Sequence, residues 1–371
     1  YDLDLFNIVA VDDFNMGAME IKGLNIFNSS YVLAKAETTT DDNFEAVEAV
    51  IAHEYFHNWT GNRITCRDWF QLCLKEGLTV FRDAEFTADQ RSSAVKRIKD
   101  VILLKSRQFR EDGGPLAHPV RPESFVEINN FYTLTVYEKG AELVSMIKRL
   151  VGDKAYRDAL DLYFDTYDGQ AVTIEDWIKV FEDVTELDLS QFILWYQQAG
   201  TPILSVSERW ENNFLKLSFH QEIPDTPGQY NKKPHLIPVD VGLLEKKSGA
   251  MIHSENLKVS QTKEEFVFGP YDERPIPSLL RDFSAPVILK QNVDKERLVF
   301  IFENETDSFN RWDAGRKLCE NSLFNMISEG ALPDNCLLYT SPSPRDQRGS
   351  RMTAYSLKKK GGGGGGGGGG G

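Results

Sequence analysis

Basic residues, cysteines and long apolar runs are all scarce in this chain of 371 residues. Lysine and arginine number 42 against 56 acidic residues, which gives a formal net charge of -14 at pH 7. An acidic surface repels phosphate backbones, so we expect no nucleic-acid partner. No run of about 18 apolar residues occurs, so we also expect no membrane-spanning helix.

The few cysteines form no C-x-x-C pair that would indicate a zinc ribbon. They are Cys66, Cys73, Cys319 and Cys336. We predict isolated reduced thiols, as in an intracellular enzyme, and therefore a cytoplasmic location. A disulfide between Cys66 and Cys73 is the alternative that the spacing leaves open.

Both ends of the sequence are unusual. The chain opens at Tyr1 inside a strand-like run, so we expect the true N-terminus, with any targeting signal, to be missing. Residues 338–371 end in three lysines and eleven glycines. Polyglycine buries no side chain, and such tracts are what poly-A and poly-G give on translation. We predict a non-native, disordered tail over 338–371; a genuine flexible linker is the alternative.

The periodicity of apolar residues divides the rest of the chain into three parts. Residues 1–30 are strand-like, and most of residues 41–200 follow a helical period that begins after Thr40. The predicted helices after the first cover 70–90, 90–109, 133–150, 153–167, 174–184 and 189–198. Beyond Pro202 apolar and polar residues alternate, and from Asp294 the helical period returns.

The predicted fold class is therefore a multidomain α+β protein. We expect a mostly helical domain over 1–200, a small β-sandwich over 201–292, and the start of an α-helical domain over 293–337. An apolar content of 41% and an aromatic content of 11% suit a protein with a sizeable core.

The run His53-Glu54-Tyr55-Phe56-His57 carries the chemistry. Residues four apart share one face of a helix, so His53 and His57 can bind one cation. Glu54 lies beside that cation, where a carboxylate can accept a proton from water. Glu76, separated from His57 by eighteen intervening residues, offers the third ligand of a catalytic zinc site. We predict one Zn²⁺; two surface histidines on a helix are the alternative.

These residues also carry a family resemblance. The run His53 to Trp59, followed by Glu76-Gly77, resembles the gluzincin aminopeptidases of the aminopeptidase N family, closest to their bacterial-type alanyl branch. The resemblance is dense from Tyr1 to Pro202 and looser to about residue 330. It implies a thermolysin-like zinc domain that releases single amino acids from peptides with a free N-terminus. We further predict a monomer.

The same resemblance implies a binding site for the substrate amine. Gly17-Ala18-Met19-Glu20 resembles the family signature G-A-M-E-N, in which the glutamate binds the α-amino group. Glu20 takes that role by resemblance, and Gly17 and Ala18 would offer backbone groups to the substrate. An exposed acid beside a turn is the alternative for Glu20. Ile21 stands where the family has Asn, through either a read error or a real loss of a polar group.

Three further residues take roles from the resemblance or from spacing. Tyr137 matches the tyrosine that donates a hydrogen bond to the oxyanion. Tyr132 is a nearby rival for that role, although we expect it to pack in the core. Met16 matches the methionine of the first side-chain pocket; a core methionine is the alternative. Asp83, seven residues past Glu76, can hold the second nitrogen of a histidine ligand, unless it is a surface acid.

Three other hypotheses stay open at this point. One is an epoxide-hydrolase-like activity, known in one branch of the superfamily. Another is a non-catalytic peptide-binding relative, which the loss of a ligand or of the base would mark; here both histidines and both glutamates are present. The third is that this stretch is inactive alone because absent domains normally wall the cleft.

Overall fold

A computed structural model describes residues 3–330 of the chain. The helices are α1 (Asp41–Phe56), α2 (Leu72–Gln90), α3 (Ser93–Leu103), α4 (Phe109–Asp112), α5 (Gly140–Val151), α6 (Asp153–Tyr167), α7 (Ile174–Thr185), α8 (Leu194–Gln197), α9 (Lys295–Asn304) and α10 (Ser308–Glu329). The strands are β1 (Asn7–Val11), β2 (Ala18–Met19), β3 (Leu24–Asn28), β4 (Thr65–Cys66), β5 (Ala171–Val172), β6 (Ile203–Glu211), β7 (Phe214–Glu222), β8 (Ile237–Leu244), β9 (Met251–Val259), β10 (Lys263–Phe268), β11 (Ile276–Leu279) and β12 (Ile288–Gln291). The predicted tail over 338–371 and Cys336 lie outside the described residues.

The first sheet brings the Gly17–Glu20 run to the helices. Its order is β1-β3-β2, with β1 parallel and β2 antiparallel to β3. Strand β3 buries Asn25 and Phe27 at alternate positions, as a half-buried strand does. The amide of Asn62 donates to the carbonyl of Glu20 at 2.8 Å, which fixes the end of β2 against the loop after α1.

Helix α1 begins where the sequence predicts. Thr40 is its N-cap, and the Thr40 hydroxyl accepts from the backbone N–H of Asn43. Helix α2 follows and buries Leu74, Leu78 and Phe81 in the core, between α1 and α5.

Three of the predicted helices differ from the structure. Those over 90–109 and 133–150 contain two wider turns, the first π-helical segment (Leu104–Gln108) and the second π-helical segment (Thr135–Lys139). The helix over 189–198 is wrong, because only the single turn α8 is helical. Gln191 and Trp195 donate to backbone carbonyls of the β-sandwich, so contacts distant in sequence override the local pattern there.

The alternating residues after Pro202 form the predicted β-sandwich. One sheet has the order β10-β7-β6-β12, and the other has the order β11-β8-β9. Leu215, Leu217 and Phe219 of β7 are buried, while the residues between them are half-buried or exposed. Helices α9 and α10 follow, and Asp294 caps α9 by accepting from the N–H of Arg297.

The α+β fold class is confirmed, whereas the domain boundaries after residues 200 and 292 stay predictions. Cys66, Cys73 and Cys319 are free thiols, so the Cys66–Cys73 disulfide does not form. Burial raises the pKa of Cys66 to about 12. Within residues 3–330, none of the helices has the length and apolar character that crossing a membrane requires.

Candidate active site

Helices α1 and α2 bring the three predicted metal ligands together. The Nε2 atoms of His53 and His57 lie 3.0 Å apart. The Oε2 atom of Glu76 lies 3.4 Å from the first of these nitrogens and 3.2 Å from the second. The edges of a tetrahedron around zinc, with bonds of about 2.0–2.1 Å, measure about 3.3–3.4 Å. Two imidazoles and one carboxylate at these distances therefore fit a zinc ion.

Each imidazole is held by a hydrogen bond from its other nitrogen. The Nδ1 atom of His53 lies 2.7 Å from Oδ2 of Asp83, and Nδ1 of His57 lies 2.7 Å from the carbonyl of Thr60. Because both partners are acceptors, the proton sits on Nδ1 and leaves Nε2 free to bind a metal. The contact predicted for Asp83 is confirmed, and Asp83 is not a surface acid.

The local charges favour a cation at this point. Burial alone would lower the pKa of His53, but the carboxylates of Asp83 and Glu76 outweigh it and raise that pKa well above its ordinary value. Burial opposes ionisation of Glu76, yet His57 and Lys75 hold the pKa of Glu76 well below its ordinary value. The carboxylate of Glu76 is therefore ionised and available as a ligand.

Glu54 lies next to this cluster and is almost fully buried, with 4% of its surface exposed. Its Oε2 atom has no hydrogen-bond partner among residues 3–330. Burial raises the pKa of Glu54 to about 7. A buried carboxylate oxygen without a partner is costly to keep, and it can accept a proton from a water molecule in the cavity.

A cavity of about 860 Å³ joins these groups to the other predicted site residues. Its walls include Met16, Gly17, Ala18, Glu20, Tyr132 and Tyr137 together with the residues of the metal cluster. Met16 lines the cavity and is half-buried, so it is not a core methionine. The expectation that Tyr132 packs in the core is wrong, because Tyr132 is half-buried and lines the cavity, whereas the neighbouring Phe131 is fully buried.

Glu20 is buried, with 7% of its surface exposed, so the alternative of an exposed acid is wrong. One carboxylate oxygen of Glu20 pairs with the ammonium of Lys75, and Lys75 Nζ lies 3.1 Å from Oε1 of Glu76. The sequence pattern does not predict a role for Lys75, because successive residues of a helix point about 100° apart and only Glu76 is on the ligand face. Ile21 is 48% exposed, so its side chain points largely to solvent.

Tyr137 lies across the cavity, within the second π-helical segment. Burial and then the negative charge of Glu76 raise the pKa of the Tyr137 phenol above its ordinary value. The phenol therefore stays protonated at neutral pH and can donate a hydrogen bond.

The backbone is unusually close behind Glu76. A Cβ atom added to Gly77 would lie 2.7 Å from the carbonyl carbon of Gly140. A side chain at position 77 therefore does not fit unless the backbone of Gly140 moves. The two glycines therefore set the distance between the start of α2 and the turn that carries Tyr137.

Two imidazoles one helical turn apart, a carboxylate from the next helix and a buried glutamate beside them are the parts of an H-E-x-x-H metallopeptidase site. The chain belongs to peptidase family M1, whose domain profile matches residues 1–196. Residues 200–292 match a domain of unknown function with an Ig-like fold. The family predicted from the motifs is thereby confirmed.

The chain is also similar to named proteins. It is 49% identical over 328 residues to aminopeptidase N of Escherichia coli K12, covering 86% of this chain and 38% of that protein. It is 52% identical over 323 residues to aminopeptidase N of Caulobacter vibrioides, covering 86% of this chain and 37% of that protein. A crystal structure of Legionella pneumophila aminopeptidase A in complex with aspartic acid superimposes with a TM-score of 0.76 at 33% identity. The match covers 91% of this chain and 37% of that one. The chain thus spans less than two fifths of these relatives.

Proposed function

We propose that the complete protein is a zinc aminopeptidase, which hydrolyses the N-terminal peptide bond and releases single amino acids. One observation carries the proposal: the candidate metal ligands and the candidate amine-binding carboxylate share one cavity. Carboxylate oxygens of Glu20 and Glu54 and a ring nitrogen of His57 lie within 4.8 Å of one another. A substrate amine bound at Glu20 therefore holds its first carbonyl close to Glu54.

His53, His57 and Glu76 would hold one zinc ion, because their three facing atoms have the separations that such an ion needs. When bound, zinc acts as a Lewis acid that lowers the pKa of water and stabilises negative charge on a carbonyl oxygen.

Glu54 transfers a proton during the reaction, and Tyr137 binds the oxyanion. Glu54 accepts the proton of the water that attacks the carbonyl carbon, and later delivers it to the departing amine. The carbon gains the oxygen of water, the C–N bond breaks, and the amine leaves with that proton. Tyr137 donates a hydrogen bond from its phenol to the oxyanion that forms between these steps.

Glu20 selects substrates with a free amine. An ammonium group entering the cavity meets a carboxylate that otherwise pairs only with Lys75 among the described residues. A blocked amine brings no positive charge to this buried group, which makes its binding unfavourable. Gly17 and Ala18 offer backbone groups to the substrate, and Met16 borders the pocket for its first side chain.

The relatives named above are aminopeptidases, which favours this activity over an epoxide hydrolase. The presence of both histidines and both glutamates argues against a non-catalytic relative. Peptide substrates with a free N-terminus, a monomeric state and a cytoplasmic location belong to the same proposal and rest on the sequence.

The variant Glu54→Gln in the complete protein tests the proposal. We expect kcat on an aminoacyl anilide to fall by about 10²–10⁴-fold, the usual contribution of a general base, with zinc retained. Glu48→Gln is the matched control, because Glu48 lies on the same helix and pairs with Arg91 near the surface. Unchanged activity of Glu54→Gln would refute the proposed mechanism.

A further inference from the structure

The turn that carries Tyr137 is not an ordinary α-helix. In the second π-helical segment the N–H of Gly140 donates to the carbonyl of Thr135, five residues back. Such wide turns are rare, occur mostly as single turns inside α-helices, and are frequent at functional sites. Something outside the segment must therefore hold it in this form.

A buried ion pair holds the end of the segment. Lys139 Nζ lies 2.7 Å from Oδ2 of Asp112, and both side chains are almost completely buried. The same ammonium donates to the carbonyl of Gly200 at 3.0 Å, and the hydroxyl of Thr201 donates to Asp112 Oδ2 at 2.9 Å. The pair thus ties the turn of Tyr137 to the residues where the helical part meets the sandwich.

Side chains close to Asp112 in sequence also hold Thr135, the first residue of the segment. Glu111 Oε1 accepts from the backbone N–H of Thr135 at 2.7 Å and from its hydroxyl at 2.5 Å. Gln108 Nε2, at the end of the first π-helical segment, donates to the Thr135 hydroxyl at 3.2 Å. Side chains from one stretch of chain, 108–112, therefore bind both ends of the segment.

We infer that Asp112 and Lys139 are positioning residues for Tyr137, because their buried ion pair keeps the second π-helical segment in the form that aims the phenol into the cavity. A buried ion pair is a poor source of stability, since apolar residues of similar volume often serve as well. A pair placed two residues from Tyr137 therefore acts on geometry. The inference rests on the proposed role of Tyr137.

The test compares three sets of variants of the complete protein. Asp112→Asn with Lys139→Met removes both charges at once, so no single buried charge is left behind. Thr201→Val removes only the hydroxyl bound to Asp112 and serves if the double variant does not fold. Arg149→Met is the matched control, because Arg149 joins α5 to Asp240 of the sandwich at 2.6 Å without touching the segment.

Hydrogen exchange of the amides of residues 135–140 is the first measurement, and it does not depend on activity. We expect exchange there to be at least about tenfold faster in the double variant, about threefold faster in Thr201→Val, and unchanged in Arg149→Met. Unchanged exchange in the first two variants would overturn the inference whatever the enzyme does.

The second measurement is a double-mutant cycle with Tyr137→Phe. We expect the charge-free pair to lower kcat about tenfold with KM within about twofold, and to lower it less than about twofold when Tyr137 is already Phe. An equal loss in both backgrounds would mean a merely structural role and would overturn the inference. If Tyr137→Phe itself keeps the original kcat, the proposed role of Tyr137 fails, while the exchange measurement still decides whether the pair holds the segment.

Discussion

The β-sandwich and the helical part of the molecule use their interiors differently. In the sandwich, β7 buries apolar side chains such as Leu217 in regular alternation, and β8, with Val241, is buried along almost its whole length. The helical part buries Glu54, Glu76 and Lys139 as well, and contains two π-helical segments. Buried charge and irregular turns cost free energy. The buried Glu54 and Glu76 line the cavity, and Lys139 lies two residues from Tyr137, which also lines it. We therefore infer that the helical part is shaped by chemistry and the sandwich by packing.

The largest contrast should come from replacing a histidine in each part. His57→Ala removes a candidate ligand, and we expect the bound zinc to fall below about 0.1 per chain and kcat to fall by more than about 10³-fold. His253→Ala, in strand β9, should change neither quantity. Zinc analysis with an anilide assay measures both. Full zinc in His57→Ala would remove the basis for placing a metal there.

Replacing a glycine by alanine tests whether the helical part tolerates a single added methyl group. Gly77→Ala forces Gly140 to move, so we expect kcat/KM to fall about 10²-fold and the free energy of unfolding to fall by about 1–3 kcal/mol. Gly113→Ala is the control, because its new Cβ would lie 3.4 Å from its nearest contact, the carbonyl of Phe109. Equal kinetics for the two variants would show that the close approach does not set the site.

A core substitution in the sandwich should have the opposite character. Leu217→Ala empties a fully buried position, and we expect the free energy of unfolding to fall by about 2–5 kcal/mol with kcat unchanged below the unfolding transition. Val267→Ala, 55% exposed on the neighbouring strand, should cost no more than about 0.5 kcal/mol. Denaturant unfolding provides the numbers. A large fall in kcat for Leu217→Ala would break the division of roles.

The smallest effect concerns pH at the junction of the two parts. His235 is fully buried and stacks on Trp195, and its Nδ1 atom has no hydrogen-bond partner among residues 3–330. Burial lowers the pKa of His235 to about 3. The unfolded chain therefore binds the proton first, and stability from this group is lost as pH falls below about 6.5. We expect a loss of about 2 kcal/mol at pH 5 relative to pH 7.5.

The variant His235→Gln should lose this dependence on pH, whereas His253→Gln, at a more exposed site, should keep it. Unfolding curves at both pH values measure the difference. An identical loss in His235→Gln would assign the effect to other groups.

Much of the fold follows from local pattern. The cap at Thr40 predicts the start of α1. The spacing of His53, His57 and Glu76 predicts that α1 and α2 form a metal site, because helix geometry fixes which residues share a face. Alternation along β7 predicts the sandwich, because successive side chains of a strand point to opposite faces of the sheet.

The parts that escape prediction depend on contacts between distant residues. Lys75 and Glu20 are 55 positions apart in the sequence, and Lys139 and Asp112 are 27 apart. The periodicity of apolar residues therefore does not predict either pair. The turn at Tyr137 is π-helical although its residues suit an ordinary helix, because Glu111 and the ion pair hold both ends. Sequence pattern thus predicts where the site is, and distant polar contacts decide how it is shaped.

The central claim is that this cavity binds a free amine beside a hydrolytic metal site. The most direct test compares hydrolysis of an aminoacyl anilide with that of its N-acetylated form by the complete, zinc-loaded protein. We predict a kcat/KM at least about 10³-fold lower for the acetylated substrate, because Glu20 then lacks its ammonium partner. Comparable hydrolysis of the two substrates would contradict the account.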